Sequence, residues 1–165
     1  MAIIRHEDIS PDKFNANQCK NAVLSYFRFT RGFPYVATEF QECDVVVANE
    51  KEWIDIEVKV SWSDYRAEWK KSKHTKYEEG GTINGWFNCN RRFFAAPPKL
   101  AAKILEDINE SHPKYGVISI FSATDVEILK RAEPRHKEAT PEKILTGLVA
   151  RMSSELITLR RMLRA

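Results

Sequence analysis

The sequence lacks any apolar run long enough to cross a membrane. A membrane-spanning helix takes about 18 or more consecutive apolar residues, and the chain contains no such run. The first ten residues, MAIIRHEDIS, also lack the basic-then-apolar layout of a secretory signal. Repeats of fixed period and low-complexity tracts are absent too. We therefore expect a cytoplasmic protein that is not secreted and has no membrane partner.

Cysteine is scarce, and its spacing argues against structural metal chemistry. Cys19, Cys43 and Cys89 lie far apart, form no CxxC pair and have no histidine at a zinc-type spacing. A reducing compartment suits three unpaired thiols. We expect Cys19 and Cys43 to lie in apolar surroundings, where a cysteine behaves as a small inert hydrophobe.

The composition is that of one globular domain. Hydrophobic residues make up 43% of the 165 residues, which is ordinary for a folded protein with a real core. We expect a single domain over residues 1–165, in which residues 140–165 form a C-terminal helix. Lysine and arginine number 26 against 23 acidic residues, a net charge of +3. This mildly basic balance is compatible with a polyanionic partner without requiring one.

Hydrophobic periodicity predicts an alternation of helices and strands. The predicted elements are a helix over 15–31, strands over 35–40, 43–48 and 53–61, a solvent-facing helix from 63 with an ordered tail to 79, a strand or hairpin over 86–96, a helix over 99–110, strands over 115–121 and 126–131, and a helix over 141–164 with Thr140 as N-cap. Residues 132–139 are the best candidate for a linker or mobile loop. This order predicts an α/β fold with a central mixed β-sheet flanked by helices.

The strand predicted over 53–61 alternates between apolar and charged residues. Asp55, Glu57 and Lys59 share one face, and the isoleucines and valines between them share the other. An E-x-K tripeptide alone is a weak signal, because such charges are common on solvated sheet faces. Asp55 lies on the same face of the strand as Glu57, and we interpret it as a charge near the rim of the site rather than as a metal ligand.

These charged residues suit the hydrolysis of a phosphodiester. That reaction uses a divalent cation to activate water, carboxylates to hold the cation, and a positive side chain near the reacting oxygens. Mg²⁺ prefers oxygen ligands, so Asp44, Glu57 and the Val58 carbonyl are candidate metal ligands. Lys59 lies two residues beyond Glu57 on the same strand face, about 6.6 Å along it. The predicted catalytic residues are therefore Asp44, Glu57 and Lys59.

An acid that opens a strand, followed by a turn and a strand with E-x-K, is similar to the PD-(D/E)XK nuclease superfamily, which includes restriction endonucleases. The run EVKVSWSDYRAEWKKSKHTKY more specifically resembles the MmcB-type group of DNA-repair nucleases, and the later NRRFFAAP and YGVISI segments follow that group's order. The resemblance covers roughly residues 35–130. It implies a restriction-endonuclease-like fold and a metal-dependent DNA endonuclease acting in DNA repair, recombination or phage-type DNA processing. It also implies Mg²⁺ as cofactor, with Mn²⁺ as a substitute, and DNA as partner.

The sequence departs from the superfamily pattern at several positions. Cys43 stands where the name of the superfamily has proline, before Asp44, and Glu68 stands where the MmcB-type run has aspartate. Many members carry an additional glutamate on the first helix, where this chain offers polar uncharged residues. That role is empty or moves to Glu39 or Glu42, the candidate accessory ligands. A second function therefore stays open, a catalytically inactive nuclease-fold module that binds DNA or a protein partner.

A basic segment follows the E-x-K strand. Its lysines Lys70, Lys71, Lys73 and Lys76 are candidates for contact with a nucleic-acid backbone, with a merely solvated helix as the alternative. We interpret His74, which lies among them, as part of a solvated helix face.

The last predicted helix carries an apolar stripe that serves either for packing or for a homodimer. Its members are Leu145, Leu148, Val149, Met152, Leu156, Leu159 and Met162.

Overall fold

The computed structural model describes residues 13–74 and 89–163, which form a six-stranded sheet with helices on both faces. The elements are α1 (Ala16–Ser25) continued by a π-helical segment (Tyr26–Thr30), β1 (Tyr35–Phe40), β2 (Cys43–Ala48), β3 (Trp53–Val58), α2 (Trp62–Glu68), β4 (Arg91–Ala96), α3 (Pro98–Ser111), β5 (Gly116–Ile120), β6 (Val126–Lys130) and α4 (Glu142–Met162). The predicted α/β class, a mixed sheet flanked by helices, is confirmed. The predicted segments 75–79 and 86–88 lie outside the described residues.

The six strands follow one another across the sheet in the order of the sequence. The three central strands β3, β4 and β5 are parallel, whereas β1, β2 and β6 pair antiparallel with their neighbours. Parallel neighbours need crossover connections, and α3 lies in the one between β4 and β5. All six residues of β3 are buried, because helices pack on both faces of the sheet.

The sheet separates two hydrophobic cores. On one face, Cys19 and Val23 of α1 pack against the even-numbered residues of β3. On the other face, Tyr65 of α2, Ile104 of α3 and Leu148 of α4 pack against the sheet. Charged residues on the odd-numbered face of β3 therefore lie beneath helices rather than in water.

Local signals set most of the element boundaries. Asn15 accepts the N–H of Gln18 at 3.0 Å and completes a capping box at the start of α1. The helical turns that follow α1 end before Gly32, whose φ of +74° is the left-handed conformation that favours glycine. Pro97 and Pro98 break the chain between β4 and α3, with Pro98 in the first turn. These boundaries agree with the predictions.

The predicted N-cap of α4 is wrong. Pro141, with φ −58° and ψ 136°, occupies the N-cap, and the helix begins at Glu142. The N–H of Thr140 donates to the Glu50 carbonyl at 3.1 Å, and its buried hydroxyl has no hydrogen-bond partner. The backbone of Thr140 is thus hydrogen-bonded to the turn before β3, and Thr140 lies one residue before the N-cap. None of the described helices, including the 21 residues of α4, combines the length and apolar character needed to cross a membrane.

Residues 132–139 connect β6 to α4 without regular secondary structure, as expected for a linker, and hydrogen bonds anchor them to β4. The side chain of the buried Asn90 donates to the carbonyls of Glu138 at 2.9 Å and His136 at 3.3 Å. The Arg135 N–H donates to the Asn90 carbonyl at 2.8 Å. The connection is therefore held against the start of β4, although it has no regular secondary structure.

Candidate metal-binding and catalytic site

The charged face of β3 is buried. Asp55 is 0% exposed, Glu57 2% and Lys59 3%, so this is not a solvated sheet face. Lys59 lies just beyond the last residue of β3, but its N–H donates to the Ala95 carbonyl at 2.9 Å and continues the pairing with β4. The alternation predicted from the sequence therefore places Glu57 and Lys59 on one face, with 3.6 Å between Glu57 Oε2 and Lys59 Nζ.

Glu68, the last residue of α2, joins this pair. Its Oε2 accepts a hydrogen bond from Lys59 Nζ at 2.7 Å, and its side chain is 1% exposed. Ser61 caps α2 by accepting the Asp64 N–H at 3.2 Å, so that the helix begins directly after the strand. The seven residues of α2 then bring Glu68 back over the end of β3. Glu68, the position that carries glutamate where the MmcB-type run has aspartate, thus forms the centre of a buried charged cluster with Glu57 and Lys59.

Lys73 inserts its ammonium between the two glutamates. Lys73 Nζ lies 2.5 Å from Glu57 Oε1 and 3.1 Å from Glu68 Oε1. It also donates to the Glu42 carbonyl at 3.1 Å. Lys73 is 5% exposed, so the prediction of a solvent-facing lysine at this position is wrong. Paired burial explains the difference, because two carboxylates compensate the charge that would otherwise stay in water.

His74 is buried as well, contrary to its interpretation as part of a solvated face. Its Nε2 lies 3.0 Å from Glu68 Oε1, and its Nδ1 lies 3.0 Å from the Tyr115 hydroxyl. Burial lowers the pKa of His74, although the hydrogen bond with Glu68 opposes this effect. The partners of His74 come from α2 and from the chain just before β5, a combination that spacing within the basic segment does not reveal.

Asp55 lies deeper than predicted, in the middle of the sheet rather than near a rim. Arg92, its neighbour on β4, places Nε 2.8 Å from Asp55 Oδ2. Burial alone would raise the pKa of Asp55, but the Arg92 guanidinium and the Lys73 ammonium outweigh it and lower the pKa. Cys43 lies beside these charges instead of in purely apolar surroundings. Ligand atoms of Cys43, Asp55 and Glu57 all lie within 4.8 Å of one another.

Asp44 lies at the outer edge of the cluster. Its Oδ2 accepts the Val58 N–H at 2.9 Å, and its Oδ1 lies 3.0 Å from Lys20 Nζ on α1. The side chain is 24% exposed. The charge of Asp44 also contributes to the raised pKa of Glu57, so the two predicted metal ligands are electrostatic neighbours. The first helix thus contributes a cation where superfamily members often carry an acid.

The two candidate accessory acids lie near the connection between β1 and β2, Glu39 at the end of β1 and Glu42 in the turn. Glu39 is exposed and forms an ion pair with Lys20. Glu42 contributes its backbone carbonyl, which accepts from Lys73, and its residue is exposed. Both have positive φ, +50° and +66° respectively, a conformation that costs a non-glycine residue free energy. The turn thus holds a carbonyl, rather than a carboxylate, against the cluster.

Glu57 and Glu68 are both carboxylates in strongly perturbed environments. Burial, followed by the charge of Asp55, raises the pKa of Glu57 to about 8, although Lys73 opposes the shift. Glu68 shows the opposite behaviour. Burial would raise its pKa, but hydrogen bonds from His74, Lys59 and Lys71 lower it. Two buried glutamates with pKa values shifted in opposite directions are typical of functional sites.

The oxygen atoms of this cluster suit a hard divalent cation better than a soft one. Asp44, Asp55, Glu57 and Glu68 offer carboxylates, which Mg²⁺ and Mn²⁺ prefer. The thiol of Cys43 does not suit Mg²⁺, and burial raises its pKa well above the usual range, so it stays protonated. A buried group of Cys43, Asp55 and Glu57 could hold a metal ion, and the carboxylates are its suitable ligands.

The predicted nucleic-acid contacts divide into three groups. Lys70 and Lys71 are exposed beside the cluster, and Lys71 Nζ lies 2.7 Å from Glu68 Oε2. Lys73 is buried within the cluster and does not face solvent. Lys76 lies outside the described residues. Among the lysines of the basic segment that the structure describes, the exposed ones are therefore those directly after α2.

Comparison with known proteins finds no relative of this chain. The chain matches no protein family, no curated protein and no solved structure.

Proposed function

We propose that this chain is a metal-dependent DNA endonuclease of the PD-(D/E)XK type, with Asp44, Glu57 and Lys59 as its catalytic residues. The observation that carries the proposal is the convergence of Glu57 and Lys59 on one buried face of β3, with 3.6 Å between their charged atoms, next to the partly exposed Asp44. The restriction-endonuclease-like fold and a role in DNA repair, recombination or phage-type DNA processing belong to the same proposal. A DNA substrate and three buried free thiols agree with a cytoplasmic location.

The metal would be held at the end of β3. Asp44 and Glu57 are the two carboxylates we assign to it, and the Val58 carbonyl between Glu57 and Lys59 is the third ligand. Arg92 already pairs with Asp55, so we do not assign Asp55 to the metal. Asp55 remains a source of negative electrostatic potential near the site. A bound Mg²⁺ or Mn²⁺ ion would supply an activated water and neutralise charge on the phosphate.

Lys59 is positioned to stabilise charge on the phosphate. Its ammonium is held by Glu68 at 2.7 Å and lies 3.8 Å from Asp64 Oδ1, so that its long side chain is fixed before substrate arrives. Hydrogen bonding with Glu68 raises the pKa of Lys59 against the effect of burial, and the side chain stays charged. Lys59 therefore acts as an electrostatic group rather than as a general base.

The DNA backbone would approach over the exposed end of the cluster. Lys70 and Lys71 are exposed there, and Lys71 has 55% of its side chain in solvent. Phosphate contacts of this kind release counterions, so binding should weaken as salt concentration rises. DNA binding that does not weaken as the salt concentration rises would argue against an approach over these two lysines.

Cleavage of a substrate panel tests the proposal. Duplex, branched and single-stranded DNA are incubated with Mg²⁺ or Mn²⁺ and the wild-type protein, Lys59→Met or Lys51→Met. We expect cleavage by the wild type and by Lys51→Met, which changes an exposed lysine in the turn before β3. Lys59→Met should lose cleavage by a factor of about 100 or more, the loss typical of an electrostatic group. Wild-type rates in Lys59→Met, with an unchanged circular dichroism spectrum, would show that Lys59 has no catalytic role.

A second candidate function is a nuclease-fold module that binds DNA or a protein partner without catalysis. Two observations favour it: Lys73 already compensates Glu57, and α1 presents Lys20 rather than an acid to Asp44. Calorimetric titration with Mn²⁺ distinguishes the two functions. If the chain is the endonuclease, the wild type should bind Mn²⁺, and Asp44→Asn and Glu57→Gln should lose that binding. A binding module without catalysis need not bind Mn²⁺.

A further inference from the structure

The ammonium of Lys73 occupies a cation position beside Glu57, one of the carboxylates assigned to the metal. Three oxygen atoms surround Lys73 Nζ: Glu57 Oε1 at 2.5 Å, Glu68 Oε1 at 3.1 Å and the Glu42 carbonyl at 3.1 Å. Carboxylate and carbonyl oxygens converging on one point are the ligand set of a hard cation. An ammonium carries three donors and fits such a set through hydrogen bonds.

The fold holds the backbone of Lys73 and leaves its charged end on a flexible stem. Arg92 Nη1 donates to the Lys73 carbonyl at 3.0 Å, and the next residue, His74, is fixed by Glu68 and Tyr115. The four-carbon stem of a lysine can change rotamer without movement of the backbone. A change of rotamer is therefore the movement that would take the ammonium out of the cluster without displacing the backbone.

We propose that Lys73 is an internal counter-ion that occupies the cation position of Glu57 and is displaced when a divalent ion binds. This inference rests on the proposed function, because it assigns Glu57 to a metal. A metal ion needs the Glu57 oxygen at about 2.0 to 2.2 Å, and two cations at such distances from one carboxylate repel each other strongly. Lys73 thus lowers the metal affinity of the site and stabilises the buried carboxylates in the absence of metal.

Calorimetric titration of Mn²⁺ into three proteins tests this inference: the wild type, Lys73→Met and Lys71→Met. Lys71 is the matched control, since it also contacts Glu68, at 2.7 Å, but from the exposed side. Both variants remove one positive charge and keep the aliphatic stem. We expect Lys73→Met to bind Mn²⁺ at least about tenfold more tightly than the wild type. Lys71→Met should stay within about threefold of the wild type, as for the loss of a solvent-screened charge.

The outcomes separate this inference from the proposed function. Equal Mn²⁺ affinity in the wild type and Lys73→Met would overturn the counter-ion role while leaving a metal-dependent nuclease intact. Binding in Lys73→Met alone would support the counter-ion role and count against a working wild-type nuclease. Absence of binding in all three proteins would overturn both. An equal gain in Lys71→Met would also overturn the inference, because general charge would explain it.

Stability of the variant needs its own control, since Lys73→Met leaves Glu57 and Glu68 with one cation fewer. Circular dichroism and thermal unfolding establish whether it folds. Lys73→Gln is the second variant, because its amide keeps hydrogen-bond donors for the carboxylates but carries no charge. The same increase in Mn²⁺ affinity is expected for it. An unchanged or weaker affinity in a folded Lys73→Gln would overturn the inference.

Discussion

At the scale of single residues, the proposed role of Glu57 as a metal ligand conflicts with the stability of the folded protein. Burial and the charge of Asp55 raise its pKa to about 8. In the unfolded chain a glutamate titrates near 4.3, so between about pH 4.3 and pH 8 the folded state holds a proton that the unfolded state has lost. The contribution of Glu57 to stability is therefore fully present below that window and is lost as pH rises through it.

We expect Glu57→Gln to become more stable relative to the wild type as pH rises from 5 to 9. The gain should be a few kcal/mol at most, since glutamine has no proton to lose. Urea denaturation at several pH values measures the difference in free energy of unfolding. Glu52→Gln is the matched control, because Glu52 forms a pair with Arg91 that is about one third exposed and that solvent screens. A difference that stays constant with pH would contradict the prediction for Glu57.

Arg92 and Arg91 are adjacent on β4 but face different surroundings. Arg92 compensates Asp55 inside the protein, with 3% and 0% of their side chains exposed. Arg91 pairs with Glu52 at 2.9 Å, where both side chains are about one third exposed, and it also donates to the Ala132 carbonyl. Removing one partner of a buried pair leaves an uncompensated charge, whereas a surface pair contributes little.

We expect Arg92→Met to lose about 3 to 5 kcal/mol of unfolding free energy, against about 1 kcal/mol for Arg91→Met. The double variant Asp55→Asn with Arg92→Met should recover part of the loss, because the unpaired charge is then gone. Chemical denaturation of the three proteins measures these values. Similar losses in the two single arginine variants would show that the buried charge is not what sets the cost.

At the scale of elements, β3 could be predicted because its signal is local. Side chains of a strand alternate between faces, so the spacing of Glu57 and Lys59 was sufficient to place them together. The segment after α2 could not be predicted in this way. Lys73 and His74 are buried only because Glu57 and Glu68 arrive from other elements to compensate them. Their local sequence, rich in lysine, is the same as that of a solvated helix.

Asn90 links elements that are far apart in the chain. Its Oδ1 accepts the Trp53 N–H at 2.9 Å at the start of β3, and its amide donates to the carbonyls of His136 and Glu138. Asn90 therefore connects β3, the start of β4 and residues 132–139. A single asparagine before a strand gives no sequence signal of this role, which is why the connection was interpreted as a linker.

We expect Asn90→Ala to lose about 2 to 3 kcal/mol and to expose residues 132–139 to protease, because the buried Trp53 N–H and two backbone carbonyls of the connection lose their hydrogen bonds with Asn90. Brief trypsin digestion with mass spectrometry should detect early cleavage after Arg135 or Lys137. Asn49→Ala is the control: it removes two side-chain bonds, to the N–H groups of Lys51 and Glu52, in a turn elsewhere. Early cleavage at the same sites in Asn49→Ala would indicate global loosening rather than loss of this link.

At the scale of the whole molecule, α4 leaves part of its apolar surface exposed. Ile144 and Leu148 are buried against the sheet, whereas a narrower stripe lies to one side of that face. The residues of this narrower stripe follow at spacings of four and three, and the first and third of them pack partly against the core: Leu145, Val149, Met152, Leu156, Leu159 and, just after the helix, Leu163. Among them, Leu156, Leu159 and Leu163 are 49%, 54% and 78% exposed. This heptad spacing is the pattern by which a helix packs against a second copy of itself.

The charges beside the stripe favour a parallel pair of helices. Glu155 precedes Arg160 by five residues, which is the spacing that joins flanking positions of two parallel helices by an ion pair. Glu155 also contacts Arg151 at 3.1 Å within its own helix and accepts the Thr38 hydroxyl at 2.9 Å, and its side chain is 37% exposed. For the homodimer predicted from the sequence, we therefore expect a parallel contact between two copies of α4.

We expect the wild type to be a dimer at about 50 μM and Leu156→Glu to be a monomer, because a charge in the centre of a heptad stripe cannot be paired there. Light scattering coupled to gel filtration measures the mass, and circular dichroism checks the fold. Ile157→Glu is the matched control: it changes the next residue, 51% exposed but off the stripe, and should stay dimeric. A monomeric wild type, or dissociation by both substitutions, would show that α4 does not pair through this stripe.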